Sequence, residues 1–215
     1  MDEMPPALKN LLEDARLKHV QKGQILFYLG DEPTEAYALK EGVVKVHNID
    51  DVGNEKVLHL LKPLAVFPFA VFSGADAHTK WFYTALTDCD LYVVPAKLML
   101  QTMRDDGDSA VYLMNWFSME VHELLVRLDS LGKSNVRDKL IAALKYLAVC
   151  HGVERRSGWR RIPFSVNHQL IADMIGVTRE SAAMAMKEMA DNKIIRNPRL
   201  TILEIQLDKL VDEKQ

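Results

Sequence analysis

Between positions 166 and 189 the chain carries side chains suited to reading base-pair edges: Arg179, Glu180, Ala183, Met184 and Lys187 share one face of a potential helix that Thr178 precedes. Arginine can donate a bidentate pair to guanine, glutamate can accept from the cytosine amino group, and lysine suits a phosphate as a point charge. Such chemistry needs a helix held from behind by a second helix, with its outer face bare. Counting from His168, the fourth, eighth, tenth, fifteenth and eighteenth residues are Ile171, Ile175, Val177, Ala182 and Ala185, apolar or small wherever two helices would pack. Ala172 and Gly176 are small where they would cross, Gly176 permits the tight turn, and Thr178 is a good N-cap. The segment therefore reads as a helix–turn–helix. A helix pair that is only core is the competing reading, and the residues C-terminal to the pair weigh against it.

Ile194-Ile195 and the alternating run 201–205 read as two short strands joined through Arg196-Asn197-Pro198-Arg199, the wing of a winged helix–turn–helix. Lys187, Arg196 and Arg199 are then candidate phosphate contacts. Charge agrees. Residues 133–200 hold 13 Lys and Arg against 6 Asp and Glu, whereas residues 1–132 hold 12 against 20. A net charge of −3 conceals a basic module, the electrostatic footprint of a double-stranded DNA partner. The run Arg155-Arg156-Ser157-Gly158-Trp159-Arg160-Arg161 suits DNA phosphates or RNA polymerase equally.

The remaining composition excludes other classes. No apolar run approaches the ~18–20 residues that cross a bilayer, and the acidic N-terminus does not resemble an export signal, so a cytoplasmic protein with no membrane partner is expected. Two cysteines, Cys89 and Cys150, cannot complete an iron–sulfur cluster or a four-cysteine zinc site; buried free thiols in a reducing compartment are the expectation. The histidines are dispersed without ligand spacing, so no metal is expected. Cys89 with His78, or Ser118 with His122 and Asp129, are the best nucleophile sets. Neither has an oxyanion or phosphate loop beside it, so no enzyme activity is expected.

The elements that would position the reading helix come earlier in the chain. A short amphipathic helix is expected over 5–18. Strands are expected at 24–29, 36–39, 43–48, 56–61, 81–87 and 91–94, short runs at roughly ten-residue intervals that predict an antiparallel roll. The clearest hairpin turns at 50–54, where Gly53 can supply a positive φ. Residues 108–131 form a long helix in which Met114, Phe117, Val121, Leu124, Leu128 and Leu131 alternate by three and four, a heptad seam suited to a second copy of the chain. A merely core-facing helix remains the other reading. Gly132-Lys133-Ser134-Asn135 breaks this helix, which gives expected domains at 1–107, 108–132 and 133–215.

This order of elements resembles the CRP/FNR family of bacterial transcription regulators over roughly residues 20–205. Leu29-Gly30-Asp31 and the segment from Ala36 to Val46 look like the family's sensor strands. Ile171 to Ser181 is close to its DNA-reading signature, in which a hydroxyl residue, Arg and Glu open the recognition helix. The resemblance implies an α+β fold, a cyclic-nucleotide-binding-like β-roll followed by a long dimerisation helix and a winged helix–turn–helix, acting as a homodimeric regulator. Met184 stands where relatives commonly carry a second base-reading Arg, which implies a different half-site.

The resemblance fails at the nucleotide pocket. Pro68-Phe69 and Thr79-Lys80 replace the Gly-Glu and Arg-Ser pairs that hold ribose and cyclic phosphate, so no response to cyclic AMP is expected. Phe67, Phe69, Phe72, Lys80, Trp81 and Phe82, with Leu124 and Leu125 from the long helix, are expected to converge there instead. They would hold an apolar or aromatic effector, or they would fill the roll and leave a constitutively active regulator or a protein-interaction module.

Overall fold

Packing divides the chain into two units, the first comprising Met1–Asn48 and Leu58–His122, the second Ile49–Val57 and Glu123–Gln215. The computed structural model describes residues 4–74, 77–197 and 202–210.

In the first unit α1 (Pro6–Glu13) leads into β1 (Arg16–Val20), β2 (Ile25–Phe27), β3 (Glu35–Glu41), β4 (Val44–Ile49), β5 (Glu55–Leu61), β6 (Val66–Phe67), β7 (Phe82–Ala85) and β8 (Cys89–Pro95), then α2 (Ala96–Asp105) and α3 (Gly107–Leu131). β4, β5 and α3 each run on into residues of the second unit. The strands form two four-stranded sheets, ordered β1-β8-β3-β6 and β2-β7-β4-β5, whose paired neighbours run antiparallel. Alternation explains the core: Tyr37, Leu39, Leu91 and Val93 from one sheet and Val44, Val46, Tyr83 and Ala85 from the other are buried in one apolar cluster. On the opposite face of β3 and β8, Ala36, Ala38 and Val94 pack with Leu8 and Leu12 of α1, Met99 of α2 and Leu113 of α3. Gly42 sits at φ +99, and a Cβ there would lie 2.5 Å from the Asp88 carbonyl oxygen, so only glycine lets this strand end approach β8.

Two sequence expectations change here. The helix expected over 5–18 stops at Glu13, and Arg16–Val20 instead form a strand in register with β8, Arg16 opposite Val93 and Val20 opposite Cys89. A ladder to a strand distant in sequence overrides the local pattern. The aromatic set also splits. Along β7, Tyr83 points into the core, whereas its neighbour Phe82 lies on the other face, stacked on His47 at 5.4 Å.

The second unit contains the hairpin tip 49–57, the end of α3, α4 (Val136–Tyr146), a π-helical turn (Leu147–His151), β9 (Val153–Glu154), β10 (Trp159–Arg161), α5 (His168–Ile175), α6 (Arg179–Asp191), β11 (Ile195–Arg196) and β12 (Glu204–Gln206). Its sheet is ordered β11-β12-β10-β9. The two C-terminal strands pair as the wing reading requires, Ile195 opposite Ile205 and Arg196 opposite Glu204. The arginine-rich run 155–161, not assigned a structure from sequence, is a turn followed by β10, which extends the wing into a four-stranded sheet.

Candidate nucleic-acid interface

Helix α5 is capped by Asn167, whose side chain accepts from the Leu170 amide at 2.8 Å, and it ends at Gly176 in the left-handed conformation, φ 68 and ψ 48. The chain then re-enters helix at α6, where Thr178 accepts from the Ser181 amide at 3.2 Å. Glu180, on the first turn, complements the positive end of the α6 dipole. Ile171, Ile175, Ala182 and Ala185 are buried as their spacing predicts, and Val177 is half-buried. The opposite face stays open: Thr178, Arg179, Glu180 and Lys187 are exposed, Ala183 is half-buried, and Met184 is 75% exposed. This leaves a bare apolar side chain on a capped helix that also presents the charged Arg179 and Glu180. Arg137 of α4 donates to Glu188 at 3.2 Å and so ties α6 to the unit from its flank.

The wing arginines differ from one another. Arg196 donates to Glu204 and its guanidinium lies 4.1 Å over the Trp159 ring, while Arg161 donates to the other oxygen of Glu204 at 3.0 Å. Burial raises the Glu204 pKa, but the hydrogen bonds and charges of Arg196 and Arg161 outweigh it and hold the carboxyl below its ordinary value. Two arginines of the basic module are thus partly neutralised by one buried carboxylate. Arg199 lies outside the described residues.

Of the candidate sensor residues, only Phe67 is fully inside the first unit. Phe67 is fully buried and stacks on Tyr83 at 5.5 Å, with Phe27 and Tyr37 edge-on. Phe69 contacts Tyr83, Trp116 and Phe117, and Phe72 lies 5.1 Å from Phe117. Lys80 and Trp81 are at the surface, and Phe82 faces away from Phe67, so the expected convergence of all six does not occur. Thr79 is buried, and its hydroxyl donates to the Tyr28 carbonyl. Burial pushes the Tyr83 hydroxyl pKa well up. A buried pair that the spacing did not signal, His59 and Glu120, is hydrogen bonded within this unit. Cys89 is buried with its thiol directed at the Val43 carbonyl, and burial raises its pKa, which suits an inert thiol. Cys150 is only half-buried, contrary to the expectation of a second buried thiol.

Along α3, Met114, Val121 and Leu128 are 59%, 54% and 67% exposed. Phe117 is turned into the aromatic cluster and Leu124 is half-buried, so the bare stripe runs through Val111, Met114, Ser118, Val121, Leu125 and Leu128 rather than through the full seam read from sequence. Leu131 lies near its end, 39% exposed.

A β-roll, a long helix with an exposed apolar stripe and a capped helix–turn–helix with a wing together define a transcription regulator with a DNA-binding domain. The cyclic nucleotide-binding domain model matches residues 17–106 and the Crp-like helix-turn-helix domain model residues 138–211. The chain belongs to the CRP/FNR family of transcription regulators, which are not enzymes. It is 23% identical over 181 residues to the global nitrogen regulator of Synechococcus elongatus, covering 84% of this chain and 81% of that protein. It is 26% identical over 184 residues to the HTH-type transcriptional regulator ArcR of Staphylococcus haemolyticus, covering 84% and 79%. A CRP/FNR family regulator from Thermus thermophilus superposes with a TM-score of 0.69 at 24% identity, over 91% of this chain and 96% of that one. CooA from Carboxydothermus hydrogenoformans superposes with a TM-score of 0.74 at 20% identity, over 94% and 88%. Among the described residues, no helix is long and apolar enough to cross a membrane.

Proposed function

We propose that the chain acts in the cytoplasm as a homodimeric, sequence-specific regulator that reads double-stranded DNA with α6 and does not respond to cyclic AMP. The observation that carries this is the open polar stripe of α6 on a buried, twice-capped helix pair. In this reading Arg179 donates to guanine, Glu180 accepts from a cytosine amino group, Met184 contacts a thymine methyl, and Lys187, Arg196 and Arg199 engage phosphates. Self-association through the bare stripe of α3 sets two such helices at the ~34 Å spacing of successive major grooves. The roles divide as 1–107 sensor, 108–132 dimer helix and 133–215 DNA reader. Phe67, Phe69 and Phe72 pack against Tyr83 and Phe117, which favours the filled, ligand-free roll over an apolar effector site. The test is selection from a random duplex library followed by titration across salt. An enriched two-fold half-site and a steep salt slope support the reading, whereas absence of any selected sequence refutes it.

A further inference from the structure

Arg127 stands near the end of α3, yet it is only 6% exposed. Its Nη2 donates to the Val57 carbonyl at 2.9 Å and to the Met174 carbonyl at 3.2 Å, and its guanidinium lies 5.1 Å from the centre of the Tyr146 ring. All four residues belong to the second unit. The partners are neutral: two backbone oxygens and the face of an aromatic ring. A buried charge held this way is costly to strand, so the arrangement persists only while every partner is in place. The three partners come from three places in the chain: the hairpin tip on β5, helix α4 and the last turn of α5.

Met174 is the telling partner. Its carbonyl is among the terminal four of α5, which have no acceptor role inside the helix and lie at the negative end of its dipole. A cation there both caps α5 and fixes the backbone that turns at Gly176 into α6. Burial pulls the guanidinium pKa below its ordinary value, although an arginine retains its charge at neutral pH.

We propose that Arg127 is a positioning residue for DNA reading: its guanidinium clasps the last turn of α5 to the hairpin tip and to Tyr146, and so fixes the orientation of α6. Without the clasp, α6 remains folded but samples more orientations, and simultaneous engagement of two half-sites becomes rarer. Base reading suffers, while attraction to phosphates, which tolerates many orientations, does not. The proposal rests on the DNA-reading function above and adds to it a residue that touches no DNA.

The experiment uses the full chain, the duplex that the unmodified protein selects from a random library, and a scrambled duplex of equal composition. Affinities are measured per active dimer after stoichiometric titration, with amide hydrogen exchange followed at Gly176 and Val177. Arg127→Met is expected to lower the selected-to-scrambled affinity ratio at least about tenfold, the scale of one lost charge-assisted hydrogen bond, and to speed exchange at both amides. Arg127→Lys, which keeps the charge and can reach one carbonyl, is expected to recover part of the ratio. A general loss of stability would reduce the active fraction and leave the ratio per active dimer unchanged. If Arg127→Met does not fold, Arg127→Lys and Tyr146→Leu carry the same test, each with a lowered ratio and faster exchange. A ratio within about twofold of the unmodified protein, or a lowered ratio with unchanged exchange, overturns the proposal. Failure of the unmodified protein to select any duplex is a different result, and it overturns the DNA-reading function on which the proposal stands.

Discussion

The two ends of this chain use their distinctive side chains in opposite ways. On α6, Arg179, Glu180, Met184 and Lys187 are left facing solvent by a helix whose other face is buried. In the β-roll, Phe67, Phe69 and Phe72 are spent on Tyr83, Trp116 and Phe117. A surface meant for a partner leaves side chains without contacts, whereas an interior that satisfies its own side chains leaves little for a ligand to gain. The contrast predicts that substitutions on α6 change affinity with little change in stability, and substitutions in the roll do the reverse.

The largest effect is expected on the element that joins the two ends. Leu128 is bare in the single chain, and in the proposed dimer Leu128→Glu would place a charge in the apolar stripe of α3 at a cost of several kcal/mol. Monomers by sedimentation velocity and near-complete loss of binding to a two-fold site are the expected outcome. An unchanged sedimentation coefficient would remove this stripe as the interface. Phe67→Ala is next, because it empties a fully buried ring position and should destabilise the first unit by about 3–5 kcal/mol in chemical denaturation. Phe82→Ala, on the other face of β7, should cost well under half of that. Equal costs would mean that the roll is not filled in the way its ring contacts indicate.

How much of this contrast was legible in the sequence depends on how local each signal is. Caps and helix-crossing residues act within a few positions, so Thr178, Gly176, Ile171 and Ala182 declared the helix–turn–helix. The seam on α3 was half legible. Steps of three and four residues allow two interleaved stripes, and the choice of Ser118 over Phe117 rests on an aromatic cluster assembled from β6, the turn after it and β7. β1 and β10 were missed because their ladders are made to strands far along the chain. Arg127 gave no signal, since an arginine on a long helix reads as solvated until its acceptors, Val57 and Met174, are brought to it by the fold.

Within the interface, the comparison sharpens to base edges against phosphates. Arg179→Ala and Glu180→Ala should each reduce discrimination at one base pair per half-site by about 1–3 kcal/mol, with scrambled-DNA affinity nearly unchanged. Lys187→Ala should weaken all duplexes alike and lower the salt slope by about one per half-site. Titrations of both duplexes at three salt concentrations separate the two classes. Should Arg179→Ala weaken both duplexes equally with a shallower slope, it is a backbone contact.

The smallest effect concerns the wing, where stability and DNA affinity are expected to move in opposite directions. Glu204 is buried against Arg161 and Arg196, which hold its carboxyl below the ordinary value of 4.5. Because its folded pKa lies below the unfolded one, its contribution to stability is present at neutral pH and is lost as pH falls from about that ordinary value through the folded pKa. Glu204→Gln should therefore cost about 1–3 kcal/mol at pH 7 in urea denaturation, with the difference from the unmodified chain shrinking as the solution is acidified below the carboxylate range. The same substitution frees two guanidinium groups from their shared counter-charge. Scrambled-DNA affinity should rise and its salt slope steepen by up to about one per wing. A stability difference that stays constant from neutral to acid pH, together with an unchanged slope, would show that Glu204 neither stabilises the wing as a carboxylate nor restrains its arginines.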